Sequence, residues 1–499
     1  MEQDIMPNWL QKRAELTPER TALEFLNKTY TFLEVQNQST LYAAALYRQG
    51  IREGHTVGLL LGSHADTVFI IHSLWSLGAR ILLLNTRLTG SEIAFQAADA
   101  EASWLISESK YSEVLESVRT DLAACTRIVK EDLVLHEGEP VPSPASFSLS
   151  STATIMYTSG TTGRPKGVMQ TYGNHWWSAM GSVLNLGLNE DDCWLCAVPL
   201  FHISGLSILL RSVIYGMRVI LHETFDETAV NRDIREKGVT IISVVSAMLN
   251  RIIAGGTEPF PTTFRCMLLG GGPAPKALLD RCASLGIPVF QTYGMTETAS
   301  QFVTLSPEYS LKKLGSAGKP LFPNELYIDV KGRRGLPFEE GEIAVRGPNV
   351  TKGYYHLQAE TEKAIRGGWL FTGDIGYLDN EGFLYVLDRR SDLIISGGEN
   401  VYPAEIEAAL LQHEHVFEAG AAGMPDEKWG EVPVAYVVPA EGTRVSETEL
   451  LAHCRKMLAS YKIPARIITV AGLPRNASGK LVRRELHTLF HKEGQPGES

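Results

Sequence analysis

Apolar and polar positions change rhythm repeatedly along the 499-residue chain. Trp9, Leu10 and Ala14 recur at helical spacing and predict an amphipathic helix ending near Pro18. Alternating runs over 21–25 and 29–32 predict a hairpin, followed by a helix through 43–48 and a strand over 56–61. The alternation continues with a helix over 65–77, a strand over 80–84, a helix over 91–98 and a strand over 102–107. Strands and helices taking turns predict a layered α/β unit around a mostly parallel sheet. Residues 138–152, opening Gly-Glu-Pro-Val-Pro-Ser-Pro, read as a linker. A second α/β stretch follows, with a strand over 194–198, a helix over 206–215, a strand–helix pair over 239–252, and strands running into Gly270 and Tyr293.

From 321 to 382 the rhythm shortens to strands and turns at 326–330, 342–345, 354 and 376–378, with another strand at 383–386. This predicts a β-rich subdomain shaped like a distorted barrel. The charge-dense stretch 388–392 then abuts a new apolar strand, a composition break expected of a hinge. Patterns at 404–411, 434–438, 447–458 and 465–470 predict a compact α+β lid, and 492–499 reads as a disordered tail. The expected fold is α/β. A large N-terminal domain (1–388) of layered α/β subdomains plus the β-rich subdomain precedes a small, mobile C-terminal α+β lid (389–499).

Composition acts mainly by exclusion. Apolar residues make up 44% and charged residues 21%, an ordinary globular balance. The net charge, 46 − 57 = −11, argues against nucleic acid as a partner, so an anionic substrate must be met by locally placed Lys and Arg. Six scattered cysteines offer no disulfide framework, and Cys193-x-x-Cys196 sits in apolar surroundings that favour buried thiols over a metal. No basic, apolar leader opens the chain, and its most apolar runs are interrupted by polar residues. These features predict a cytoplasmic protein with no membrane span, and leave homo-oligomerisation open.

The densest candidate chemistry lies in 155–168, Ile-Met-Tyr-Thr-Ser-Gly-Thr-Thr-Gly-Arg-Pro-Lys-Gly-Val. Thr158, Ser159, Thr161 and Thr162 supply hydroxyls, Gly160 and Gly163 let backbone N–H groups turn into one concavity, and Lys166 adds a full positive charge. That inventory suits a polyphosphate, whereas most Ser/Thr/Gly segments are plain surface loops. It is not a Walker A loop, because Lys166 follows Pro165 and precedes Gly167. The stretch resembles the phosphate loop of the adenylate-forming superfamily, matching its Tyr-Thr-Ser-Gly-Thr-Thr-Gly-x-Pro-Lys-Gly pattern from Tyr157 to Gly167.

Further motifs carry the same resemblance. Gly270, Gly271, Gly272 and Pro273 follow a strand and leave bare backbone for a planar group; the resemblance places adenine and acyl substrate beside them. Gln291, Thr292, Tyr293, Gly294, Met295, Thr296 and Glu297 form a specific family signature. Tyr293 offers a ring face for a base, Thr296 a hydroxyl, and Glu297 a carboxylate of the kind Mg²⁺ prefers. Asp374, on a Gly-flanked turn, can grip a ribose diol, and Arg389 matches an arginine that contacts ribose or phosphate in relatives. Ser391 falls where many relatives carry Asp or Lys at the pivot, so the chain departs from the family there. The resemblance then implies that Gly397, Gly398 and Glu399 line a thiol passage once the lid has rotated. Lys480, on a loop of the lid, is read as a mobile catalytic cation, and Arg483 and Arg484 as solvated surface.

Pro-Leu-Phe-His202 is the acyl-CoA synthetase form of a motif beside the acyl pocket. Over the whole chain, the segments around His202, Tyr293 and 314–322 resemble the bacterial 2-succinylbenzoate–CoA ligases of menaquinone synthesis. This implies ATP, Mg²⁺ and coenzyme A as cofactor and co-substrates, with a small-molecule carboxylic acid as the activated partner. Such an acid is a dianion, and His202, Ser204, Thr296 and Gln301 are the candidate donors for its second carboxylate, with no obvious pocket arginine. Alternatives are another aryl- or fatty-acyl-CoA ligase, or an adenylation unit serving a carrier protein. The lid is expected to be followed by no carrier domain, which favours the ligase reading over the adenylation unit. A luciferase-like oxygenase shares the fold, and a non-enzymatic binding module would not need both Lys166 and Lys480.

Overall fold

Two β-sheets with helices on their faces absorb most of the apolar runs. They meet where the phosphate loop and the Tyr-Gly-Met-Thr-Glu turn emerge. The computed structural model describes residues 4–136, 146–158, 165–255, 258–271, 274, 276–389, 392, 394–396, 399–426, 430–458, 462–475, 481–486 and 488.

The first sheet has seven strands in the order Gly353–Tyr354, Lys166–Thr171, Thr152–Thr158, Arg80–Leu83, Thr56–Leu60, Trp104–Ser107 and Thr126–Val129. The last five run parallel. Parallel strands are covered on both faces, so Thr56–Leu60 is buried at every position, as a continuous apolar run predicts. The second sheet has a parallel centre made of Thr21–Phe25, Arg218–Leu221, Cys193–Cys196, Ile241–Val245, Cys266–Gly270 and Val289–Met295. Because these strands share one direction, Cys196, Val245, Gly270 and Met295 end on one edge. Open α/β sheets bind their ligands at such an edge.

Three expectations change. The predicted second hairpin strand stops at Thr31, because Thr31 and Glu34 form a capping box that starts the helix Phe32–Gln49. The linker is partly structure: Ser146–Ser148 pairs with Ile5–Pro7, and Phe147 stacks on Tyr172 with ring centroids 4.2 Å apart. The β-rich subdomain is not a closed barrel among the described residues. Ser316–Pro320 pairs with Ser300–Leu305 on one side and Leu384–Arg389 on the other, so these strands extend the second sheet. Phe302, Val303, Ile343, Val345, Leu370 and Leu384 fill the core of that extension.

The lid is a separate five-stranded sheet: Ile394–Ser396, Glu399–Val401, Val416–Asp426, Gly430–Pro439 and Arg466–Thr469. Helices Pro403–Leu410 and Glu447–Met457 bury Ile406, Leu410, Leu450 and Cys454 against it. Tyr402 Oη donates to Glu340 Oε2 at 2.7 Å across the junction with the N-terminal part. All six cysteines are free. Burial pushes the Cys193 thiol up to about 11 and Cys196 up to about 12, so the pair is packed thiol.

One buried ion pair ties the central strands together. Asp192, 2% exposed, precedes Cys193–Cys196 and accepts from Arg265 Nε at 2.7 Å, Thr240 Oγ1 at 2.8 Å and the Asn189 N–H at 2.8 Å. Burial alone would raise its carboxyl. The bonds from Arg265, Asn189 and Thr240 outweigh that and hold it below the ordinary aspartate value. Asp192→Asn leaves half-buried Arg265 without its carboxylate, and is expected to cost about 2–3 kcal/mol in urea unfolding. The depressed pKa adds stability that is present above about pH 4 and lost as pH falls through the folded value. The variant's stability curve should therefore lack that acid limb. Equal acid sensitivity in both proteins would contradict this role.

Candidate active site

Lys166 stands opposite Thr158 on antiparallel strands, so the two ends of the phosphate loop lie side by side. Ser159, Gly160, Thr161, Thr162 and Gly163 lie outside the described residues. Thr158 is half-buried at one end. At the other, the Lys166 ammonium pairs with Glu360 and sits 5.3 Å over the ring of Tyr354. That pairing lowers the Glu360 carboxyl.

The second sheet brings Glu297 to the same place. Val289–Met295 ends in the single turn Thr296–Thr298, which leaves Glu297 only 6% exposed. Tyr354 Oη donates to Glu297 Oε1 at 3.2 Å. Tyr354 sits opposite Val168 in the first sheet, and Gln170 Nε2 of that sheet donates to the Thr296 carbonyl. One tyrosine therefore touches both the lysine of one sheet and the carboxylate of the other. Burial first, then the Glu297 charge, raises its phenol above the ordinary value, so it stays a donor. The sequence marked position 354 only as a β element; the signal available was Gly-Tyr-Tyr directly before a helix carrying Glu360.

The turn after Glu297 is strained and braced. Ala299 (φ 52°) and Ser300 (φ 107°) both occupy the left-handed half of backbone space. Such backbone persists only where its surroundings over-determine it. Ser178 Oγ bonds the Ala299 carbonyl at 2.6 Å, Asn349 Nδ2 bonds the Thr298 carbonyl at 2.8 Å, and Thr298 Oγ1 bonds the Ser300 carbonyl at 2.9 Å. Gly294 is obligatory beneath it, because a Cβ there would lie 2.0 Å from the Ser300 carbonyl oxygen. Met295 and Thr296 are half-buried along this turn.

The residues expected to face the nucleotide also converge. Tyr293 Oη donates to Asp374 Oδ2 at 2.8 Å, although 81 residues separate them. Arg389 is the backbone partner of Asp374 on the adjacent strand. Gly270 faces Thr292, whose methyl would be 3.7 Å from a Cβ at 270, and Gly271 turns at φ 91°. Buried Gln291 accepts from the Ala274 N–H at 3.3 Å, fixing the far end of that glycine turn. Gly272 and Pro273 lie outside the described residues.

At the acyl end, His202 caps the helix Ile203–Tyr215, with its ring 4.7 Å from Phe201, and Ser204 is exposed on the first turn. Gln301 requires a correction. It is 3% exposed, with Ser182 Oγ donating to its Oε1 at 3.1 Å and its Nε2 donating to Thr304 at 3.1 Å, so it ties its own strand to the helix Tyr172–Leu186 instead of lining a tunnel. The missed residue is Arg211. Positions 204, 207 and 211 share one helix face, and a long side chain on a helix leans towards the N-terminus. Arg211 is 1% exposed, its Nη2 is 3.5 Å from Ser300 Oγ, and its guanidinium lies over Trp194 at 5.1 Å. No carboxylate partners it among the described residues, and burial lowers its pKa.

In the lid, Ser391, Gly397, Gly398 and Lys480 lie outside the described residues, and Glu399 opens the strand Glu399–Val401. A bridge between Arg475 and Leu481 brackets the segment that bears Lys480. Arg483 is no solvated cation. It grips Glu407 at 2.9 and 2.7 Å and reaches Asp392 at 3.2 Å, linking that segment to the hinge region. Arg484 is exposed, as expected.

Residues 10–355 match the AMP-binding enzyme family, and residues 405–480 match the AMP-binding enzyme C-terminal domain. The 2-succinylbenzoate–CoA ligase of Geobacillus kaustophilus is 56% identical over 98% of this chain and 99% of its own. The o-succinylbenzoate CoA synthetase of Bacillus subtilis, in complex with the acyl-adenylate intermediate OSB-AMP, superposes with a TM-score of 0.92. It is 49% identical, with 99% of this chain and 100% of that one covered. The same enzyme with ATP and magnesium ion gives 0.91 at 50% identity, over 97% and 100%. The chain belongs to the AMP-binding enzyme family.

Proposed function

We propose that this chain is an ATP-dependent acid–thiol ligase converting 2-succinylbenzoate to 2-succinylbenzoyl-CoA through an acyl-adenylate, with release of AMP and pyrophosphate. A carboxylate is a poor electrophile because its leaving group would be oxide; joining it to AMP supplies a good one. The joining step brings a carboxylate up to the α-phosphorus, so two anions must meet, and charge must be neutralised before positioning can help. Lys166 and the hydroxyls of Thr158, Ser159, Thr161 and Thr162 are assigned to the polyphosphate, with Tyr293 on the base and Asp374 on the ribose. The buried carboxylate of Glu297 offers the oxygen chemistry that Mg²⁺ takes, and Mg²⁺ when bound there would neutralise phosphate charge. Tyr354 holds Glu297 in place through its hydroxyl. Lys480 is assigned to the reacting carboxylate and phosphate from the lid side.

One observation carries the choice of acid. A fully buried guanidinium that meets no carboxylate among the described residues suits an anionic group of the substrate. Arg211 occupies that position on the helix that His202 caps, beside Ser207 and Ser300. A monocarboxylate would leave it unmatched once the reacting carboxylate had gone to the phosphate, whereas 2-succinylbenzoate brings a second one. The likeness to relatives bearing this activity supports the same acid. Among the described residues no helix is long and apolar enough to cross a membrane.

Arg211→Gln should raise KM for 2-succinylbenzoate roughly 30-fold or more, the cost of truncating one partner of a buried charge pair (about 2–5 kcal/mol). KM for ATP should stay within about threefold, which also reports on folding. An unchanged KM for the acid would refute the assignment of Arg211. Lys480→Ala should lower single-turnover acyl-AMP formation by about 10²–10³ (roughly 3–4 kcal/mol), as loss of one preorganised charged donor does. Formation surviving within about threefold would remove Lys480 from the chemistry.

A further inference from the structure

We propose that the lid carries a site for a single divalent transition-metal ion, built by His413, His415 and Glu449. His413 and His415 lie in the turn between helix Pro403–Leu410 and strand Val416–Asp426, and Glu449 lies on the first turn of helix Glu447–Met457. One ligand atom from each residue falls within 4.8 Å of the other two. His413 Nε2 is 3.4 Å and His415 Nδ1 is 4.0 Å from Glu449 Oε1. Ligands bound at about 2.0–2.2 Å in a tetrahedron stand roughly 3.4 Å apart, so the cluster needs only a small contraction.

A second observation points into the same space. His415 Nδ1 is buried and has no hydrogen-bond partner among the described residues. A buried ring nitrogen left in that state is costly, and an ion between it and Glu449 would satisfy it. Occupation places the proton of His413 on Nδ1 and gives up the 3.3 Å contact it now accepts from the His415 N–H, which is long for a hydrogen bond. His453 walls the cluster, its ring 5.1 Å edge-on to His413 and its Nε2 2.9 Å from the Ala409 carbonyl. Two imidazoles and one carboxylate suit Zn²⁺ and its first-row neighbours; Mg²⁺ and Ca²⁺ favour oxygen throughout. The side chains of His415 and Glu449 are 36% and 46% exposed, which leaves an entry path and room for a water ligand.

The ion would staple the turn after the first lid helix to the second lid helix, whose apolar contacts through Leu410, Leu450 and Cys454 lie beneath. Its role is to stiffen the lid, and it takes no part in the chemistry.

The test uses the full-length protein stripped with chelator and desalted, then titrated with Zn²⁺ against a chromophoric competitor. The wild type should take up one equivalent more than the His413→Ala/His415→Ala variant. Zn²⁺ should raise the Tm of the wild type and leave that of the variant unchanged. Glu449→Gln, a half-exposed single change that keeps the fold, should weaken the same binding at least about tenfold, the least that loss of even an outer partner costs. Equal Zn²⁺ uptake by the wild type and Glu449→Gln, or no uptake by the wild type, overturns the site.

Discussion

One side chain brings the lysine of one sheet and the carboxylate of the other together, beside the Gln170–Thr296 bond that also joins the sheets. Tyr354, on the edge strand of the first sheet, carries Lys166 above its ring and donates its hydroxyl to Glu297 of the second. Lys166 lies on the first sheet and Glu297 on the turn that ends a strand of the second. The chemistry needs both within one cleft, because an anionic nucleophile must approach an anionic phosphorus. A hydroxyl bond to a buried carboxylate fixes that acid's position without neutralising it, leaving its charge available to a metal ion.

The rest of the site is arranged to keep this contact rigid. The turn behind Glu297 stores strain at Ala299 and Ser300, and Ser178, Asn349 and Thr298 hold it in place. Lys166 is already paired with Glu360, so a polyphosphate must compete with a carboxylate for it. That pairing lets a low-dielectric cleft carry a lysine before any ligand arrives, and it biases the site towards highly charged ligands. At the other end, no carboxylate pairs with buried Arg211 among the described residues. Within the C-terminal part, Arg483 ties the 481–486 segment to Asp392 and Glu407.

The alternation of strand and helix was readable because the first sheet is largely parallel and the second has a parallel centre, and their buried strands are short, mostly apolar runs such as Thr56–Leu60 and Cys266–Gly270. Tyr293 and Asp374 were legible one by one from their motifs, and folding brings them to 2.8 Å. Arg211 was not legible. It sits in Leu-Leu-Arg-Ser-Val-Ile, which reads as an apolar helix, and it packs over Trp194 of the preceding strand and against Ser300, 89 residues away. Gln301 misled for the same reason: its polarity suggested a pocket, yet Ser182 and Thr304 occupy both ends of its amide. Tyr354 was hidden because an aromatic on an edge strand is ordinary core material until its hydroxyl is seen to have a buried carboxylate beside it. The β-rich subdomain was readable as such, but strand pattern does not show which neighbour takes each edge; Ser316–Pro320 gives both of its edges to an extended sheet.

The most direct test of this account is the rate of single-turnover acyl-AMP formation in Tyr354→Phe, measured at saturating ATP and Mg²⁺. Removing one hydrogen bond to a charged group is worth about 1.5–3 kcal/mol, so the rate should fall roughly 10- to 100-fold, with the fold and its Tm little changed. A rate within about twofold of the wild type would mean that the tyrosine does not hold the two sheets' charges in register, and the central claim would be wrong.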